Sequence, residues 1–310
     1  MIEIIQGGIQ TSLQDDGRPG HRGRGIPGGG AADKLSFALA NWLAGNKWNS
    51  PALESTLGGL HLKVHKKVLV GLAGAQMWAQ VNGQNVANFT AFPMKAGDIL
   101  TLSFPRQGCR AYVAVSGGLE GDQFLGSQAT YIPAALGGIG GRAVKAGDRF
   151  LVKDADRARR QIPTGYVPHI SNHAVLRARP GPEFYDLTLA SQRHLFVSPF
   201  HSTDQTDRMG SRLRGDRIML SHERSMISGP MLPGTLQVPP EGGPILALVD
   251  GHCTGGYPRA LQVIRADHWQ MGQIGPQMQV SFRRSFADEA EITLRNRNAH
   301  YGSLIDGFKF

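Results

Sequence analysis

The sequence predicts a mainly β protein of the α+β class with a few short helices, and three observations predict it. Glycine supplies 41 of the 310 residues, about twice the ordinary ~7%, without the Gly-X-Y period of collagen, which implies many tight turns. Apolar and polar residues alternate in several short runs, the period-two signature of half-buried strands. A clear 3.6-residue period appears over one short stretch near residue 40. Hydrophobic residues make up 41% and charged ones 18%, which excludes a disordered chain. The length sets a prior of two domains of about 150 residues.

Taken in order, Ile2–Ile5 reads as a short strand, followed by glycine-rich turns from Asp15 to Gly30. Leu35, Leu39, Trp42 and Leu43 fall on one face of a helix that Gly45 ends. In Leu60–His65 the apolar residues alternate with His61, Lys63 and His65, so the run reads as a strand with a polar face. Val68–Leu72, Met77–Val81, Ile99–Phe104 and Arg110–Val115 continue the series, with Asn82-Gly83 as a hairpin turn. Lys145-Ala-Gly-Asp148 before Arg149–Val152 echoes Lys95-Ala-Gly-Asp98 before Ile99–Phe104, a Gly-Asp turn feeding a strand each time. The polar run Asp154–Arg160, followed by Pro163, Gly165 and Pro168, marks a boundary, giving a first domain at 1–155, a second at 165–284 and a tail at 285–310. In the second domain a helix is expected at Glu183–Ser191. Strands are expected at Leu195–Ser198, Thr235–Val238, Ile245–Val249 and Gln277–Phe282, and Asp267 is expected to cap a short helix holding Trp269. Ser285 with Asp288 reads as a capping box opening a helical tail.

The excess of 33 Lys+Arg over 24 Asp+Glu gives a net charge of +9. The basic residues are scattered, with denser spots at Arg157–Arg160 and Arg283-Arg284, and no aromatic platform accompanies them, so nucleic acid is not the expected partner. A basic surface equally steers anionic substrates or an acidic protein. No apolar run approaches the ~20 residues of a membrane span. The Met-Ile-Glu-Ile-Ile-Gln start reads as lacking a secretory leader. Cys109 and Cys253 have no zinc spacing, which points to a reducing cytoplasm and no metal.

Gly23-Arg-Gly25-Ile-Pro-Gly28 matches G-x-G-x-x-G, but Pro27 interrupts it and no buried strand precedes it, so turn glycines explain it better than a dinucleotide. His61 and His65 have helical metal spacing but sit on a strand. Cys253 beside His252 points to the opposite face of an extended chain, which disfavours a nucleophile–base pair. Three polar clusters carry more: Leu13–Gly20, Ser202–Gly210 and Gly251–Pro258. Each joins turn residues to groups that bind carboxylates or amides, with Arg as a fork donor, Gln or Asp as acceptor and Thr and Tyr as hydroxyls.

These residues resemble a family. Gln14-Asp-Asp-Gly-Arg-Pro-Gly20, Gly25–Asp33, Ala40–Asn46, Ala52-Leu-Glu-Ser-Thr-Leu-Gly58 and Tyr112–Gly118 look like consecutive signatures of the biotin-dependent carboxyltransferase family, and within it of the allophanate hydrolase subunit 2 group. Leu125-Gly-Ser127, Gly137–Arg142, Asp207-Arg-Met-Gly210, Gln237-Val-Pro-Pro240 and Thr254-Gly-Gly-Tyr-Pro258 continue the order. The resemblance implies two β-barrel-like subdomains of cyclophilin-like character. It also implies a cytoplasmic component of an ATP-dependent 5-oxoprolinase that opens 5-oxo-L-proline to L-glutamate, inactive alone and acting with the B-like and A-like subunits of that enzyme as partners. The matched motifs place Arg208, Asp207, Tyr257 and Thr254 as catalytic candidates, and Gln14, Asp15, Arg18, Gln237, Gly255 and Gly256 as substrate-binding candidates. Arg208 or Arg18 would anchor a carboxylate or phosphate, and Thr254 and Tyr257 would donate hydrogen bonds. Asp33 and Glu54 would cap turns and helices. No Ala-Met-Lys-Met sequence is present, so covalent biotin is not expected on this chain. Gly29, Ala32 and His252-Cys253 depart from the family's usual residues, which leaves the substrate open. Other readings are a regulatory protein that sequesters a kinase-inhibitor partner, and a carboxyltransferase component acting on a urea-like amide.

Overall fold

The computed structural model describes residues 1–155, 158–222 and 226–310. Arg157, the first residue of the basic run singled out above, lies outside the described residues. The chain forms two compact units, one of residues 1–18, 29–170 and 300–309, the other of 19–28, 171–299 and 310.

The first unit contains β1 (Ile2–Gly7), β2 (Gln10–Gln14), α1 (Lys34–Leu43), β3 (Ala52–Thr56), β4 (Leu60–Val64), β5 (Val68–Val81), β6 (Gln84–Val86), β7 (Thr90–Met94), β8 (Ile99–Val115) and β9 (Arg149–Phe150). The sheet runs β2-β3-β8-β4-β1-β9, and β5 pairs with β6, β7 and β8. The alternation expected of Leu60–His65 is present: Leu60, Leu62 and Val64 are buried and His61 and Lys63 are partly exposed. Asn82-Gly83 makes the β5–β6 hairpin turn, at φ 49° and 80°.

Two pairs of expected strands are each one strand. Val68–Leu72 and Met77–Val81 are continuous in β5, and Ile99–Phe104 and Arg110–Val115 in β8, because these long arms pair with each other from Val70↔Val115 to Val81↔Leu100. Register shifts between Gly74 and Ala79 absorb the irregularity that the sequence shows as a break. Helix α1 is buried on almost every side, Phe37, Ala38, Ala40 and Asn41 included, rather than along a single stripe. A Cβ on Gly71 of β5 would stand 2.1 Å from the Ala40 carbonyl oxygen, so the bare glycine allows the helix to lie against the sheet. Asp33 caps α1, its Oδ1 accepting from the Ser36 N–H at 2.9 Å.

The second unit contains β10 (His173–Pro180), α2 (Leu189–Val197), β11 (Phe200–Thr206), β12 (Gly210–Arg214), β13 (Gly229–Pro230), β14 (Thr235–Gln237), β15 (Ile245–Ala247), β16 (Thr254–Gly255), β17 (Arg259–Val263), α3 (His268–Met271), β18 (Gln279–Arg284) and α4, Ala287–Gly302, whose last residues count with the first unit. Seven strands close a barrel in the order β10-β17-β14-β15-β12-β11-β18, with β18 returning parallel to β10. Closure leaves the barrel no free edge. Leu176, Phe200, Leu213, Leu236, Leu246, Leu261, Val280 and Phe282 fill it. The mainly β class expected from the sequence is therefore the one observed, with a closed barrel in one unit and an open nine-stranded sheet in the other.

The region expected as a helix at Glu183–Ser191 and a strand at Leu195–Ser198 is instead a 3-10 turn at Phe184–Asp186 and then α2. Thr188 Oγ1 accepts from the Ser191 N–H at 3.2 Å and starts the helix, which continues through Leu195 because Leu195 buries into the barrel. Asp267 stands at the cap of α3 without capping it. Its carboxylate accepts from Arg177 N and Nε at 2.9 Å and Arg177 Nη2 at 2.6 Å, and a fork-shaped cation outcompetes a single backbone N–H. Ser285, expected in a capping box, donates to the Phe286 carbonyl at 3.4 Å.

His268 keeps part of its surface in solvent, yet burial of its ring lowers its pKa to about 4. An unfolded chain accepts a proton there below about pH 6.5, so stability is fully present above that pH and falls as pH drops towards 4. Between pH 7 and 4 the wild type should lose about 1–3 kcal/mol more than His268→Gln. Denaturant midpoints of the two proteins across that range check this, and parallel pH profiles would refute it.

Candidate functional site

In the first unit the residues after β2 build a loop seat. Asp15 Oδ1 accepts from the Gly17 N–H at 2.8 Å and from Ser127 Oγ at 2.6 Å, while Oδ2 accepts from the Gln128 N–H at 2.6 Å. Gln14 is buried and its Nε2 donates to Ser12 Oγ at 2.9 Å and to the Thr130 carbonyl at 3.1 Å. Arg18 is 1% exposed and donates to the Phe124 and Ala129 carbonyls. Gln14, Asp15 and Arg18 are thus brought together around residues 124–130, whose backbone and the Ser12 and Ser127 hydroxyls take up much of their hydrogen-bonding capacity.

Beneath this seat lies a network that the sequence reading missed. Ser12 and Gln14 on β2, Glu54 on β3, and Arg110 and Tyr112 on β8 are all buried, and within each strand they stand at i, i+2 spacing or directly across in register. Glu54 Oε2 accepts from the Ala32 N–H at 2.9 Å and from the Tyr112 hydroxyl at 2.8 Å, and Oε1 lies 3.5 Å from Arg110 Nε. The Tyr112 oxygen accepts from the Asp33 N–H at 2.7 Å. Burial, reinforced by the negative charges of Glu54 and Asp33, raises the Tyr112 pKa well above the ordinary phenol value, so its proton stays in place. Glu54, expected to cap a turn, is the acceptor at the centre of this network. The visible signal was Arg110 and Tyr112 at i, i+2 in the apolar end of β8.

In the second unit the loops at one set of strand ends are tied together. Arg208 binds Asp250 bidentately, Nε to Oδ2 at 2.7 Å and Nη2 to Oδ1 at 3.1 Å, with both side chains buried. Asp207 Oδ1 accepts from the N–H groups of Met209 and Gly210 at 2.7 and 3.0 Å, shaping the β11–β12 turn. Thr254-Gly255 forms β16 and pairs with β13, and Arg22 donates to the carbonyls of Met231, Gly251 and His252. Arg22 opens the 3-10 turn Arg22–Arg24, which ends at Gly25 in the left-handed conformation, so Gly23–Gly28 is not a strand-to-helix dinucleotide loop. Gln237 Nε2 lies 3.5 Å from the Tyr257 carbonyl, and a Cβ on Gly255 would come within 2.4 Å of that nitrogen, so a side chain there would displace the Gln237 amide.

Beside this cluster opens a cleft of about 950 Å³, lined by Ile218, Met219, Val238, Pro239, Gly256 and Tyr257 among others. Tyr257 is 44% exposed; with Ser221 and His222 it supplies the polar side chains among the described residues of the lining. A mostly apolar wall with a few polar groups is the composition of a small-molecule site. Tyr257 and Gly256 line it. Thr254, Gly255 and Gln237 adjoin it in sequence or through hydrogen bonds. Asp207 and Arg208 are not among the described lining residues; Arg208 holds the 248–251 loop and Asp207 the β11–β12 turn. His252 is exposed and Cys253 is partly buried with a free thiol. Among the described residues no group of three His, Cys, Asp or Glu side chains is placed to hold a metal, and no helix is long and apolar enough to cross a membrane.

Comparison with known proteins gives this geometry a family. The model of the carboxyltransferase domain, subdomain A and B, matches residues 24–284. The chain is 36% identical to the C subunit of 5-oxoprolinase from Escherichia coli K12 over 304 residues, covering 98% of this chain and 97% of that protein. It is 33% identical to the corresponding C subunit from Haemophilus influenzae, covering 97% and 96%. Among solved structures, the K. lactis urea amidolyase superposes with a TM-score of 0.91 at 26% identity, covering 100% of this chain but 20% of that one. With the family model spanning most of the chain and end-to-end relatives above 30% identity, this chain belongs to the carboxyltransferase subdomain A and B family.

Proposed function

We propose that this chain is one component of an ATP-dependent 5-oxoprolinase that opens 5-oxo-L-proline to L-glutamate together with B-like and A-like subunits as partners. The observation that carries the reading is the end-to-end correspondence with the C subunit of 5-oxoprolinase, 98% of this chain against 97% of that protein. The chain corresponds to only 18% of the Saccharomyces cerevisiae urea amidolyase, so a urea-like substrate is the weaker reading.

The chemistry asks for a site of this kind. A lactam is a resonance-stabilised amide, and ATP, as a co-substrate of the complex, can activate its oxygen so that water attacks the carbonyl. Hydrogen-bond donors aimed at the developing oxyanion then lower the barrier in a water-poor cleft. Tyr257 lines the described cleft; in this reading its hydroxyl is such a donor once bound substrate or a partner subunit covers the cleft, with Thr254 and Gln237 beside it as further substrate-binding groups. Asp207, Arg208, Gly255 and Gly256 set the loop geometry, while Gln14, Asp15 and Arg18 hold the loops of the first unit.

Co-expression with candidate partners and an assay of 5-oxoproline-dependent ATP hydrolysis test the reading. The chain alone should be inactive and the complex active, and Tyr257→Phe should lower turnover about tenfold for the loss of one hydrogen bond worth about 1.4 kcal/mol. A complex that assembles but is never stimulated by 5-oxoproline would overturn it.

A further inference from the structure

The +9 charge has a local counterpart on the first unit, far in sequence from the cleft. A concavity of about 520 Å³ opens where the β4–β5 turn meets the chain after β9, and Lys66, Lys67, Lys153 and Arg159 line it around Val68 and Leu69. Lys66 is fixed: its Nζ donates to the Val152 carbonyl and to Asp154 Oδ1, both at 2.6 Å. Lys153 is 3.2 Å from Glu120. Lys67 and Arg159 are exposed, and neither is in an ion pair among the described residues. Asp154 is the one acid among the lining residues described, and Lys66 already engages it. With Lys66 and Lys153 engaged by Asp154 and Glu120, Lys67 and Arg159 leave the described rim of the hollow with two positive charges that no described acid offsets, and an anionic occupant would balance them.

We infer that this concavity docks an acidic segment of a partner protein, which rests on the reading of the chain as one component of a complex. Two features favour a polypeptide over a nucleotide. Among the described lining residues none is aromatic, so they give a base nothing to stack on. The Gly117-Gly118 turn that follows the lining Ser116 spends its N–H groups on Asn46 Oδ1 and the Val115 carbonyl, so it does not serve as a phosphate cradle. Rim charges of this type act on encounter and partner choice.

The test compares the wild type, Lys67→Gln/Arg159→Gln and Lys67→Glu/Arg159→Glu for binding to the purified B-like and A-like partner proteins, with ATP and inorganic triphosphate as separate probes. These side chains are exposed, so thermal midpoints should not move. Charge reversal should raise the dissociation constant for one partner about 100-fold at about 0.05 M salt, neutralisation by less, and both effects should shrink near 0.5 M salt. A change under about threefold for both partners overturns the inference. So does loss of triphosphate binding with unchanged partner binding, which would make the hollow a small-anion site. Partner binding decides this inference and 5-oxoproline-stimulated ATP hydrolysis decides the proposed function, so either can fail alone.

Discussion

Arg208→Ala is expected to destabilise the barrel unit by about 3–5 kcal/mol, because it strands the Asp250 carboxylate in a buried position. The two side chains are 5% and 3% exposed and meet through two charge-assisted hydrogen bonds. The same pair reinforces the backbone bond from Asp250 N to the Arg208 carbonyl at 3.0 Å, so the 248–251 loop should loosen with it. Removing both charges tells structure from chemistry. An Arg208→Met/Asp250→Leu protein should recover most of the lost stability, since an apolar pair of similar volume replaces a buried ion pair at little cost. Denaturant unfolding of the single and double variants, with activity of the reconstituted complex measured on each, settles the role. If Arg208→Ala kept wild-type stability and lost all turnover, the residue would be acting on substrate directly.

Glu54→Ala should be comparably damaging to the first unit, about 3–5 kcal/mol, and for a related reason. One carboxylate accepts from the Ala32 N–H and the Tyr112 hydroxyl and faces the Arg110 guanidinium, with Glu54 and Arg110 each 1% exposed. Its removal takes the acceptor from two buried donors and the facing negative charge from the buried Arg110. Glu54→Gln keeps one acceptor oxygen and should cost about 1–3 kcal/mol, and Tyr112→Phe about 1 kcal/mol. Because Ala32 and Asp33 hang on this network, the 29–33 loop should also become more sensitive to proteolysis in Glu54→Ala. Unfolding midpoints and limited proteolysis check the series; a Glu54→Ala protein as stable as wild type would refute it.

What could be read from the sequence was whatever depends on near neighbours. The alternation in Leu60–Val64, the Asn82-Gly83 turn and the Asp33 cap of α1 are set within four or five residues, and each appears where expected. Leu195–Ser198 misled because its residue types suit a strand, while the Thr188 cap and the burial of Leu195 make it the end of a helix. Asp267 misled because a cap is a local inference and Arg177, 90 residues away, is a stronger partner.

The candidate site divides along the same line. Tyr257 and Gly256 were identified by motif and do line the cleft, whereas Ile218, Met219 and Val238 carry no signal beyond being apolar. Arg18 and Arg208 look alike in sequence, each an arginine beside glycines in a polar loop. Burial makes both of them internal ties, 1% and 4% exposed. By itself the sequence determined the mainly β class, the turns and the family, because periodicity, turn chemistry and ordered motifs are properties of neighbouring residues. Tertiary structure alone decided which polar groups are spent on the chain's own backbone and which face solvent. That depends on partners distant in the chain, Glu54 with Arg110 and Arg208 with Asp250, and on a burial that no local pattern encodes.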